Sequence, residues 1–105
     1  MMTEAQERRY FCYMVACADG TFYTGWTTDP ARRTRQHNRG QGARYTRQRG
    51  PVRLVYVEEL PDRSSAMRRE EKIKRLPRDR KQSLAADQQG SDLLEEFSLA
   101  GDWEL

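Results

Sequence analysis

The chain has 105 residues, 36 % hydrophobic and 33 % charged, with a formal net charge of +3. That length suits one domain, and five Tyr, three Phe and two Trp supply bulky apolar area to an otherwise lean core. No apolar run nears the roughly 18 residues of a membrane span, and the opening MMTEAQERRY has no hydrophobic segment of a signal peptide, so a cytoplasmic location is expected.

In chain order, residues 10–17 are aromatic and β-favouring and predict a strand, with a second over 21–27 after the turn residues ADG. Asp29 is a helix N-cap and Pro30 suits the first helical position, giving a helix that stops near Gly40. GQGARYTRQRGP reads as a loop rich in Gly and Arg, and residues 52–59 as a third strand. A second helix, capped by Asp62 or Ser64, runs to Leu76; Pro77 ends it and opens a third to about Ala86. Ser91 caps a last short helix with Leu93, Leu94 and Phe97 on one stripe, docked on the core with its acids facing water. The order ββαβααα predicts an α/β (α+β) fold: a small three-stranded antiparallel or mixed sheet flanked by helices. Residues 1–9 read as a tail, 10–81 as the domain and 82–105 as an acidic helical extension of it.

Cys12 and Cys17 lie five apart in one strand and point to opposite faces, so they do not bond each other. With one His in the chain they cannot complete a four-ligand zinc site, and both read as core residues.

The first hairpin has two possible registers. A two-residue Asp-Gly turn puts Tyr13 and Tyr23 on opposite faces. A three-residue loop with Gly20 left-handed sets Tyr13 against Gly25 and makes Tyr23 its diagonal neighbour on the same face, about 7–8 Å away. Gly25, having no side chain, then leaves space beside Tyr13.

The helix after Pro30 offers only Arg33, Thr34 and His37 as an inner face, so that face can line a polar cleft. Arg33 and His37 are four apart and share a side. In the second helix, at about 100° per residue, Glu70 falls about 40° from Ala66, within the arc of Ala66, Ile73 and Leu76, whereas Glu71 falls about 140° away. A carboxylate on an apolar stripe is costly unless partnered, so Glu70 should have an Arg, a hydroxyl or a metal ion beside it.

Charge is unevenly spread. Residues 1–81 hold all 19 bases against ten acids, while 82–105 hold six acids and no base. Sixteen of the bases are Arg, which forks onto phosphate oxygens. Residues 30–57 carry eight Arg and no acid, which points to a polyanion partner, with residues 32–53 as its surface.

FCY at 11–13, YTG at 23–25, the ten-residue step from Tyr13 to Tyr23, DPARRTRQHN, GQGARYTR and RSSAMRREEKIKRL together resemble the GIY-YIG nuclease domain of the small single-domain bacterial type, over about residues 10–81. The first triplet keeps only its Tyr, Thr24 and Trp26 depart from the usual residues, and no Asn beyond the glutamate matches. The resemblance implies metal-dependent phosphodiester hydrolysis, with Tyr13, Tyr23, Arg33, His37 and Glu70 as catalytic residues. It places a Mg²⁺ (or Mn²⁺) with its waters on Glu70. Tyr13 or Tyr23 would help deprotonate water, with the metal and Arg33 favouring the phenolate. Arg33 would stabilise phosphate charge, and His37 would carry a proton or bind phosphate. The partner is nucleic acid, DNA ahead of RNA, held by Arg32, Arg35, Arg44, Arg47, Arg49 and Arg53 with little sequence preference, because phosphate contacts carry no base information. The alternative is a module on the same scaffold that binds DNA or RNA without cutting it.

Overall fold

The computed structural model describes residues 8–98, so parts of the expected tail and extension, residues 1–7 and 99–105, lie outside the described residues. Strands β1 (Tyr10–Ala16), β2 (Phe22–Thr27) and β3 (Arg53–Leu60) form one antiparallel sheet in the order β2-β1-β3. Helices α1 (Pro30–Asn38), α2 (Arg44–Arg47), α3 (Arg63–Lys74), α4 (Arg78–Gln88) and α5 (Asp92–Ser98) accompany it, and the fold is α+β. No helix among the described residues is long and apolar enough to cross a membrane.

Central β1 reads YFCYMVA, with no charge to offer water, and Phe11, Cys12, Tyr13, Met14 and Val15 are all buried. Alternation divides them between two cores. Phe11, Tyr13 and Val15 join Leu54, Val57 and Leu94; Cys12 and Met14 join Tyr56 and Ile73 on the other face. Helices α1 and α5 therefore serve the first face, and α3 and α4 the second. Cys12 and Cys17 are free, buried and in separate cores, as expected. Leu93 and Phe97 pack with Leu94 on the first core while Asp92, Glu95 and Glu96 face solvent, so the last helix docks as its stripe predicts.

The hairpin adopts the longer loop. Tyr13 pairs with Gly25 and Val15 with Tyr23. Gly20 takes φ +85°, a left-handed value that glycine adopts without a Cβ penalty. Asp19 Oδ1 secures the turn by accepting from the Thr21 amide and hydroxyl, at 3.1 and 2.6 Å. Asp29 caps α1 through the Arg32 amide at 3.1 Å, and Asp62 rather than Ser64 caps α3 through the Ser65 amide at 2.7 Å. Ser91 Oγ accepts from the Leu94 amide at 3.2 Å.

One element differs from the sequence reading. Residues 44–47, expected within a loop, form the single turn α2, so the order is ββααβααα. Four residues are too few to show a helical period. The turn forms because Thr46 is fully buried and its hydroxyl donates to the Ala43 carbonyl at 2.9 Å. Asn38 closes the same segment, pairing through its amide with both backbone groups of Val52, at 3.0 and 2.6 Å.

Candidate active site

Tyr13 leaves the centre of β1 and crosses toward the edge strand β2. It can do so because Gly25 is opposite: a Cβ there would sit 2.7 Å from the Tyr13 hydroxyl. The hydroxyl meets His37 Nε2 of α1 at 2.7 Å, and the Arg33 charge acts on it. Arg33 Nη1 also donates to Gln36 Oε1 at 3.0 Å. His37 Nδ1 meets Thr46 Oγ1 of α2 at 2.7 Å. The Tyr23 ring stands edge-on to the imidazole, centroids 5.2 Å apart, and Tyr45 stacks on Tyr23 at 6.0 Å. Tyr13, Tyr23, Arg33 and His37 are thus brought together, and α1, which has no large apolar residue, turns its buried Pro30, Thr34 and His37 inward.

Burial pushes the Tyr13 hydroxyl above the usual phenol range, outweighing the hydrogen bond from Arg33 that pulls the other way, so Tyr13 holds its proton. The sequence had suggested that Arg33 would favour the phenolate; desolvation is the larger effect. Burial, reinforced by the Arg33 charge, holds His37 down at about 4. A neutral imidazole 2 % exposed must desolvate on charging, whereas an unfolded His charges near 6.5. As pH falls from 6.5 toward 4 the unfolded chain therefore binds the proton first and stability drops. The loss is roughly 3 kcal/mol from this group, with none above about pH 6.5. Urea midpoints of wild type and His37→Gln across that window will show it: the variant should lose this part of the pH dependence, and equal slopes would remove His37 as its source. Groups facing His37 are Tyr13, Tyr23, Arg33 and the uncharged Thr46.

Glu70 arrives from the other side. Helix α3 packs through Ile73 on the sheet face opposite the tyrosines, because that is where its apolar stripe finds Cys12 and Met14. The Glu70 charge still acts on the Tyr13 hydroxyl, which lies over the edge strand and within range of both helical layers. The expected contrast along α3 holds: the Glu70 side chain is 16 % exposed and that of Glu71 58 %. Glu70 Oε2 pairs with Lys74 Nζ at 3.6 Å. Among the described residues no group of three His, Cys, Asp or Glu could hold a metal ion. One hard carboxylate suits hydrated Mg²⁺, which takes one or two protein carboxylates and fills its shell with water and substrate phosphate. The donor set fits that use and no all-protein cage.

The basic residues differ in exposure and in partners. Arg32, Arg44 and Arg47 are exposed around α1 and α2, and Arg35 is half-buried on α1. Arg49 is engaged: it donates to Asp19 Oδ2 at 3.1 Å and the Tyr45 carbonyl at 2.8 Å, and covers the Tyr45 ring at 3.9 Å. Arg53 lines a separate cavity with Phe22, Gln82 and Ala85. Beside Arg33 a cleft of about 390 Å³ is walled by Trp26, Thr27, Thr28, Arg32 and Gln36, with no acid in its lining. Sequence reasoning missed Gly42 and Thr46, which contact His37, although GQGARYTR follows that residue closely in the chain.

At the edge of this sheet a tyrosine and a histidine are joined, with an arginine beside them and a carboxylate helix behind. Residues 9–83 match the model of the GIY-YIG catalytic domain, and the chain belongs to that family. Within it the chain is similar to UPF0213 proteins. One from Natronomonas pharaonis is 48 % identical over 81 residues, covering 77 % of this chain and 95 % of that one. Another from Desulfotalea psychrophila is 54 % identical over 82 residues, covering 77 % and 74 %. The solution structure of the UPF0213 protein BH0048 from Bacillus halodurans aligns with a TM-score of 0.50 at 41 % identity, over 87 % of this chain and 96 % of that one.

Proposed function

We propose that the chain is a divalent-metal-dependent nuclease of the cytoplasm that hydrolyses phosphodiester bonds, DNA ahead of RNA, with little sequence preference. The observation that supports it most is the 2.7 Å contact between the Tyr13 hydroxyl and a neutral His37 imidazole, with the Arg33 charge acting on the same hydroxyl. Tyr13 takes a proton from the attacking water as its own proton passes to His37 Nε2, so His37 is the base and Tyr13 the relay. Arg33 sits where its charge can meet that growing on the phosphate. Glu70 would hold the cation, which supplies positive charge to the scissile phosphate. Arg32, Arg44 and Arg47 steer the backbone, and the buried free thiols of Cys12 and Cys17 suit a reducing compartment.

One observation favours the second reading, a module that binds without cutting: Tyr13 is 1 % exposed, which leaves water little access to its hydroxyl. Incubating the purified chain with supercoiled, linear duplex and single-stranded DNA and with RNA, in Mg²⁺ or EDTA, separates the two. The nuclease cuts at least one DNA form in Mg²⁺ and none in EDTA. Binding to all forms with no cut strand in either buffer establishes the module.

A further inference from the structure

The imidazole of His37 has two neutral tautomers, and the hydrogen bonds around it permit one. Tyr13 is buried, and its hydroxyl meets His37 Nε2 at 2.7 Å. On the other side of the ring Nδ1 meets Thr46 Oγ1 at 2.7 Å, and a threonine hydroxyl has one proton to give. That proton goes to a backbone carbonyl, so Nδ1 carries the hydrogen of the neutral ring and donates it to Thr46, which leaves Nε2 bare for the Tyr13 proton. Thr46 is fully buried and sends its own proton to the Ala43 carbonyl at 2.9 Å, which leaves its oxygen lone pairs for Nδ1–H. The Ala43 amide also approaches Nδ1, at 3.4 Å, but the 2.7 Å contact with Thr46 is far shorter and sets the proton position. Tyr13, His37 Nδ1 and Thr46 thus each donate to one acceptor, and the run ends on a backbone carbonyl. The loop is built closely around the ring: a Cβ at Gly42 would collide with His37 Nδ1 and lie 2.9 Å from His37 Cα.

We propose that Thr46 is a positioning residue of this centre: by accepting from His37 Nδ1–H it fixes the tautomer whose bare Nε2 receives the Tyr13 proton. The proposal deepens the nuclease reading and rests on it for its consequence in catalysis. In the step itself a water O–H bond breaks and its proton joins the Tyr13 oxygen. The Tyr13 O–H bond breaks and an Nε2–H bond forms, and the hydroxide left behind attacks phosphorus. His37 is then doubly protonated, with Nδ1–H still on Thr46, and the proton later returns to solvent. With the opposite tautomer Nε2 already carries hydrogen and the relay is blocked, because the loop leaves no room for the ring to turn over. An uncharged orienter suits this site, since a carboxylate there would raise the His37 pKa and favour its protonation before reaction.

The chain has one His, so its ring nitrogens can be read without assignment ambiguity. Nitrogen-15 NMR of the ring at pH 7 should show Nδ1 protonated and Nε2 bare in wild type. Thr46→Val, of similar shape but unable to accept, should shift the ring toward the Nε2–H tautomer and lower the cleavage rate 10- to 100-fold, with substrate affinity unchanged. Thr46→Ser should restore both. A wild-type ring protonated at Nε2 overturns the proposal whether or not the chain cuts anything. So does a Thr46→Val protein that keeps the wild-type tautomer and rate, or a Thr46→Ser protein that behaves as a mutant with Nε2–H. Failure of the wild type to cleave would instead count against the nuclease reading, while the ring spectrum still tests the tautomer.

Discussion

Gly25→Ala should lower cleavage at least about 100-fold while the chain still folds. The added Cβ would sit 2.7 Å from the Tyr13 hydroxyl and 2.9 Å from Cε1 and Cζ of its ring, closer than carbon atoms rest in proteins. Backbone pairing of Tyr13 with Gly25 prevents the strands from sliding apart, so the ring must move. Moving it breaks the 2.7 Å contact with His37. A displacement of about 1 Å in a catalytic group can cost about 10²-fold in rate, and overpacking of this kind typically costs 1–3 kcal/mol of stability. Gly50→Ala is the control, because a Cβ there meets nothing within 4 Å; it should keep the wild-type rate. Wild-type cleavage by Gly25→Ala, with Tyr13 visibly displaced, would remove Tyr13 from the chemistry.

Much of the fold was legible because its signals are local. Asp29-Pro30, Asp62 and Ser91 mark helix starts by capping chemistry that needs no tertiary context, and all three act as caps. Residues 10–17 read as a strand from their aromatic and β-favouring side chains alone, and β1 forms there. The hairpin register was legible only as two alternatives, since an ADG turn fits either and only packing of Tyr13 over Gly25 selects one. Short α2 was not legible: it depends on Thr46 being held from outside by His37, and no period shows in four residues.

The site was legible in its members and less so in its arrangement. Tyr13, Tyr23, Arg33 and His37 could be gathered by spacing along one hairpin and one helix. Glu70 could be singled out by its place on an apolar stripe, yet that same stripe carries it to the far face of the sheet, which spacing within a helix cannot reveal. Arg49 and Arg53 looked like their neighbours in a run of bases. Asp19 from the first turn takes the Arg49 side chain, and strand alternation sends Arg53 away from Leu54 and its core, toward α4.

Glu70→Gln has the largest expected effect. The amide keeps the size of the side chain and removes the charge that would hold a hydrated cation. Little stability goes with it: the pair with Lys74 is an i,i+4 contact at 3.6 Å with a lysine 43 % exposed, worth about 0.5 kcal/mol at most. The neutral amide also sits more easily beside Ile73 and Ala66 on the buried stripe. The decisive measurement is the single-turnover cleavage rate of wild type and Glu70→Gln on the same DNA across a Mg²⁺ titration, with affinity for that DNA measured in parallel. The account predicts a wild-type rate that rises and saturates with Mg²⁺, a rate at least about 10³-fold lower in the variant, and equal affinity for both. A variant that cuts at the wild-type rate with the same Mg²⁺ response would contradict it and leave Glu70 a structural residue of α3.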